Sequence, residues 1–338
     1  MPKWLAGVLS VLLFFTIGVT VSAEVQDRLV WPLPPQEPKI QFVKAISTSK
    51  DIGMEKPSFL RKLVLGNEPP KVFFVKPYGV AADSKGRIYV TDTGIPRVAV
   101  FDPANKKAWY IGNEGRGQLS LPIGITVDSN DNIYVADAMQ RQVLVYTPEG
   151  EVIHSIGDPT LLTNPTGVAL DPEEKVIYIA DSKSHCIFVF SKETGEVINK
   201  LGKPGVGPGQ FNYPTNLFVD REGNLYVTDT MNFRIQAFDP EGKYLCEFGK
   251  AGDTGGCFAR PKGVAVDSFG HIYVIDAAFN NFQIFNAQKQ LLLFVGTGGQ
   301  GLGQFRLPAG IFIDDNNYIY VVDQLNARIQ IFRFLAGE

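Results

Sequence analysis

Short runs of alternating apolar and polar residues, cut at regular intervals by turns, fill the chain from about residue 77 onward. Residues 213–249 show the pattern most cleanly, with LFVD, NLYVTD, RIQAFD and KYLCEFG separated by Arg221–Asn224, Thr230–Phe233 and Pro240–Gly242. A period of two, with Val, Ile, Phe and Tyr inside the runs and Gly, Asn and Asp between them, predicts antiparallel strands. Four such runs in succession make a four-stranded meander.

The unit recurs six times from about residues 77, 122, 165, 214, 261 and 308, at roughly the 45-residue spacing of propeller blades. Each copy opens on a proline, followed two positions later by glycine in all but the fourth, where Asn216 stands. An aspartate ends the first strand (Asp83, Asp128, Asp171, Asp220, Asp267, Asp314) and another ends the second (Asp92, Asp137, Asp181, Asp229, Asp276, Asp323). A tyrosine marks the middle of the second strand (Tyr89, Tyr134, Tyr178, Tyr226, Tyr273, Tyr320). Third strands are expected to begin at Arg97, Gln142, Cys186, Arg234, Asn281 and Arg328.

The sixth copy stops after its third strand, while an alternating run at 39–46, KIQFVKAI, has no hairpin partner nearby. Pairing the two closes the ring and removes an exposed sheet edge. The expected fold is therefore all-β: a six-bladed β-propeller of four-stranded antiparallel blades spanning 39–338, with strand 39–46 completing the last blade. Residues 57–65 read as a short helix opened by Pro57 and closed by Gly66, and Lys71–Lys76 as an extended lead-in.

The first residues follow another pattern. After Lys3, Trp4 to Thr20 carries no charge, and Val21-Ser22-Ala23 resembles a small-residue cleavage site. Residues 1–23 are expected to be a signal peptide, cleaved, or an N-terminal membrane anchor, since 4–23 is long enough to cross a bilayer. The proline-rich residues 24–38 read as an extended spacer. Either way the folded part is exported, to the periplasm or the extracellular space, and touches a membrane only through its N-terminal segment.

The 338 residues carry a net charge of -3, which gives no case for nucleic acid, and three cysteines exclude a disulfide-built scaffold. Cys246 and Cys257 flank the exit of the fourth copy and are a candidate disulfide in an oxidising compartment.

The pattern P-x-G-[VI]-x-[VIL]-D, IYV-x-D and RI-x-[VI]-F, with GPGQF at 207–211 and GLGQF at 301–305, resembles the NHL repeat over residues 77–332. The lead-in is similar to that of exported bacterial members. The resemblance implies a six-bladed propeller, and some members are amidating lyases holding zinc with channel histidines. Here His154, His185 and His271 occupy non-equivalent places in three copies, where ligands about 2 Å from one metal ion should not converge. Lactonase-like propellers need channel carboxylates, whereas the first strands read GVAA, GITV, GVAL, NLFV, GVAV and GIFI, apolar apart from Thr126 and Asn216.

Aspartates that recur in every copy read as turn-stabilising acceptors rather than metal ligands, and the recurring tyrosines as packing between blades. Asn216 is a candidate site residue, although Asn also tolerates glycine-like dihedrals. The loops between second and third strands hold Met139, Arg141, Met231, Asn232, Phe233, Phe279, Asn280 and Leu325. Apolar side chains beside Asn and Arg on one rim resemble a contact surface. Their bland alternative is that they fold back over the blade edge. The sequence therefore points to a non-catalytic binding or scaffold module for an envelope or extracellular protein, peptide or small ligand, without cofactor. The alternative is a divalent-metal-dependent lyase or lactonase-like enzyme, with calcium or zinc at the channel mouth.

Overall fold

The computed structural model describes residues 29–33, 35–54 and 72–335. The leader at 1–23, part of the proline-rich segment and the helix expected at 57–65 lie outside the described residues. Among the described residues no helix is long and apolar enough to cross a membrane.

Six antiparallel sheets follow one another in chain order. Blade 1 is Pro77–Ala82, Ile88–Asp92, Arg97–Asp102 and Lys107–Ile111. Blades 2 to 5 repeat that plan, with first strands at Pro122–Val127, Pro165–Leu170, Pro214–Val219 and Pro261–Val266. All six third strands begin at the residues expected from the repeat register. Blade 6 takes Pro308–Ile313, Tyr318–Asp323 and Arg328–Phe334 from the C-terminus and its fourth strand, β2 (Ile40–Ile46), from the N-terminus. Beyond β2 lies a fifth, two-residue strand, β1 (Val30–Trp31), within the segment expected to be a spacer. Trp31 packs edge-on against Phe332, so this stretch is docked on the blade rather than standing off it.

The core consists of six wedges, each between two neighbouring blades. One joins Tyr320, Val322 and Ile329 of blade 6 to Val80, Val90 and Phe101 of blade 1. Each sheet is covered on both faces, so the second strands lose their alternation and are buried throughout, as in Ile88–Asp92 and Leu225–Asp229. Linker phenylalanines fill the wedges: Phe211 and Phe305 of the G-x-G-QF linkers and Phe258 of the corresponding Gly-Gly-Cys-Phe linker have no exposed surface. A Cβ on the strand-closing Gly249 would lie 2.3 Å from the Phe258 ring, which is why this strand ends on glycine.

Candidate functional site

The six first strands line a central channel. Their opening prolines sit on one rim together with the loops between second and third strands, because Pro77 pairs with Asp92 and Asp92 with Arg97. Neighbouring first strands approach closely there. A Cβ at Gly79 would lie 2.5 Å from the Ile123 carbonyl oxygen of the next blade, so the repeated glycine answers backbone crowding. Asn216 takes that position only in blade 4, where its side-chain oxygen accepts a hydrogen bond from Val264 N of blade 5 at 3.3 Å. Its departure from glycine thus supplies a blade-to-blade contact at the channel wall.

Buried aspartates hold the rim rigid. Asp92 accepts from Val75 N and Lys76 N in the incoming linker at 2.6 and 2.9 Å, and from Gly94 N and Ile95 N in the outgoing loop at 2.9 and 3.3 Å. Asp137 and Asp276 do the same in blades 2 and 5. In three blades the residue after the aspartate donates its side chain to the opening-proline carbonyl of the next blade, Ser182 to Pro214, Thr230 to Pro261 and Gln324 to Pro77, while Thr93 in blade 1 donates to the Lys76 carbonyl of its own incoming linker. These polar side chains are consumed by the scaffold.

The structure separates the rim residues singled out in the sequence. Met139, Met231 and Leu325 are 67%, 51% and 52% exposed, and Arg141 is also exposed. Phe233 is different: it is half-buried against the wedge between blades 4 and 5, in the left-handed region with φ 57°. Phe279 is half-buried as well. Asn232 donates to the Gly205 carbonyl at 2.9 Å and to Asp229 at 2.8 Å, locking the linker to the loop. Asn280 accepts from Leu307 N at 2.9 Å. The repeat contained the warning, since Asn326 occupies the Asn232 position in blade 6 and makes the same pair of bonds.

On the opposite rim the first-strand aspartates cap the turns, as when Asp267 accepts from Phe269 N and His271 N at 2.9 Å each. The repeat adds a role that packing alone does not cover, because in blades 1, 2, 4, 5 and 6 the second-strand tyrosine donates its hydroxyl to the same carboxylate. Tyr273 reaches Asp267 at 2.9 Å and Tyr320 reaches Asp314 at 3.0 Å. Burial first, then the adjacent carboxylate, pushes the Tyr273 phenol well above its ordinary value, so it stays a donor. Blades are also latched by ions: Lys192 of blade 3 lies 3.0 Å from Asp128 of blade 2. Burial would raise the Asp128 carboxyl, but hydrogen bonds from Asn132 and Lys192 prevail and hold it below its ordinary value.

The histidines do not meet. His154 lies exposed on a fourth strand, His185 accepts from Tyr213 N at 3.2 Å, and His271 pairs with Asp267 at 2.9 Å. Among the described residues no cluster of three His, Cys, Asp or Glu is placed to hold a metal ion. Cys246 and Cys257 are free thiols rather than a disulfide. Cys257 is buried in its linker turn with Sγ 3.2 Å from Thr254 Oγ1, while Cys246 packs on the wedge between blades 4 and 5.

The channel ends in two cavities. The larger, about 780 Å³, spans the channel and opens on the capped-turn rim. The smaller, about 300 Å³, lies at the opening-proline mouth beside blades 5, 6, 1 and 2. Lys262 and Tyr78 meet there, Nζ to hydroxyl at 3.2 Å. Neither residue stands out in the first-strand pattern, which runs from the glycine inward and leaves out the position just before it. The signal was present, as a lysine and a tyrosine at one repeat position that elsewhere holds Ile, Thr or Ala.

A family model described as a 6-bladed beta-propeller matches residues 158–263, and the NHL repeat model matches 258–285. The chain is 35% identical over 94 residues, 25% of its length, to NHL repeat-containing protein 2 of Gallus gallus. It is 28% identical over 178 residues, 51% of its length, to the peptidylglycine alpha-amidating monooxygenase of Rattus norvegicus. It spans only 13% and 14% of those two proteins. Among solved structures, a streptogramin B lyase aligns with TM-score 0.59 and 13% identity, over 77% of this chain and 94% of that one. A protein of unknown function from Bacteroides thetaiotaomicron aligns with TM-score 0.62 and 18% identity, over 87% and 75%. At these identities the structures speak for the fold alone.

Proposed function

Since the chain is a six-bladed β-propeller of NHL-type repeats, we propose that it is an exported, non-catalytic binding module. Its working surface is the rim that carries the opening prolines and the loops between second and third strands. Its partner is an envelope or extracellular protein or peptide. One observation carries this reading: Met139, Met231 and Leu325 project from a rim whose backbone is held by buried aspartates. A rigid frame presenting solvated apolar side chains loses little entropy on binding, which favours recognition.

Replacing Met139, Met231 and Leu325 together by alanine tests it. Affinity capture of envelope proteins by the wild-type chain should yield a partner whose binding falls about tenfold or more in the variant. The melting temperature should stay nearly constant, because exposed side chains contribute little to stability. Unchanged affinity would remove the reading. Phe233 and Phe279 are left intact because they are half-buried, and truncating them would lower stability as well.

A second reading, a metal-dependent lyase, draws on the likeness to the amidating monooxygenase over half the chain. The local engagement of His185 and His271 speaks against it. Stoichiometric calcium or zinc in the purified protein would favour it.

A further inference from the structure

The small cavity at the opening-proline mouth has a chemical character that neither the fold nor the blade plan requires. Lys76, Arg260 and Lys262 all border it, and no acidic side chain does. Among the described residues none of these three cations has an acidic partner within ion-pair distance. Lys262 donates instead to the Tyr78 hydroxyl, whose own O–H is a further donor at the mouth. The two residues belong to blades 5 and 1 and meet over blade 6, which presents the small Ala309 between them.

We propose that this mouth is a seat for a carboxylate group borne on an aliphatic body, as in an acidic peptide with an apolar neighbour. The proposal rests on the reading of the same rim as the binding face, and it names the chemistry of what binds. Uncompensated cations in a cleft raise the local concentration of anions. The walls supplied by Leu121, Ile123 and Leu307 select among those anions, because stripping water from an oxyanion is costly and most costly for a multiply charged one. A singly charged carboxylate with a short aliphatic chain satisfies both halves of the cavity: its oxygens meet Lys262 and the Tyr78 hydroxyl, and its chain lies on the apolar wall. Inorganic phosphate satisfies only the first.

Titration with isocaproate, its neutral primary amide and inorganic phosphate tests the seat without a protein partner. Isocaproate should bind saturably with Kd on the order of a millimolar, as expected for so small a ligand, and the amide should not bind measurably. Lys262→Met should weaken isocaproate about tenfold or more. Ala309→Leu keeps every charge but fills the space between Lys262 and Tyr78, and it should abolish binding. This second variant keeps the test intact if the first fails to fold. Equal binding of acid and amide, unchanged binding in Lys262→Met or Ala309→Leu, or phosphate binding tighter than isocaproate would overturn the assignment. The two proposals fail separately. If isocaproate does not bind yet the Met139, Met231 and Leu325 variant loses its partner, the seat falls and the rim reading stands. If isocaproate binds as expected and partner binding survives that variant, the rim reading falls.

Discussion

Deleting the chain up to and including Ile46 should give a propeller that aggregates and has no cooperative melting transition. The deletion takes away β2, which pairs with the last strand of blade 6 from Ile40 opposite Phe334 to Ile46 opposite Ile329. Ile40, Phe42 and Ile46 are almost wholly buried. Burying each is worth about 1.5–3 kcal/mol, so the three together approach a large share of the roughly 5–15 kcal/mol that holds a domain folded. Phe42 also packs edge-on against Phe332, with ring centroids 5.6 Å apart, and Phe332 touches Trp31, Phe282 and Phe305. Its loss would loosen the wedge between blades 5 and 6. The backbone of Arg328–Phe334 would become a bare edge, open to pairing with another chain. Size-exclusion chromatography and a thermal melt read both consequences. A deleted protein that eluted without aggregate and melted within a few degrees of the full chain would show that the ring does not depend on this strand.

Asp323→Ala should cost about 3–5 kcal/mol, the range for breaking a buried ion pair by removing one partner. The Asp323 carboxylate accepts from Arg306 N at 2.8 Å, Asn326 Nδ2 at 2.8 Å, Arg328 Nε at 2.7 Å and Gln330 Nε2 at 3.1 Å. Alanine would leave the buried Arg328 guanidinium with only the Gly301 and Gln304 carbonyls for partners. It would also free the linker that seats Phe305. Asp315→Ala is the control, since Asp315 is 94% exposed and its bond to Arg221 is a surface contact. Such pairs contribute about 0–1 kcal/mol. Chemical denaturation of the two variants should separate them clearly; equal stabilities would refute the stapling role of the second-strand aspartates.

Much of this architecture was legible before any coordinates. Strand starts, turn positions and the need for a closing strand follow from local rules: period two for strands, Asp, Asn and Gly for turns, and a count of strands that came out one short in the last blade. The structural reading of the repeated aspartates also came from the sequence, because a feature present in every blade serves the blade. The rim divided differently. Met139 and Phe233 look alike as apolar loop residues, yet Met139 stands in solvent while Phe233, held in a left-handed turn, lies against the next blade's wedge. Asn232 and Asn280 looked like contact residues and are linker locks. The cysteines flanking blade 4, a candidate disulfide from the sequence, are free thiols in separate surroundings.

The sequence by itself determined the repeat, its register and the closure of the ring, because each depends on neighbours within a few residues or on strand number. Only the tertiary structure decided which side chains face solvent and which meet across the channel. Lys262 and Tyr78 are 184 positions apart. No local pattern encodes their contact, which exists because closing the ring sets blade 5 and blade 1 on either side of a blade that offers only Ala309 between them.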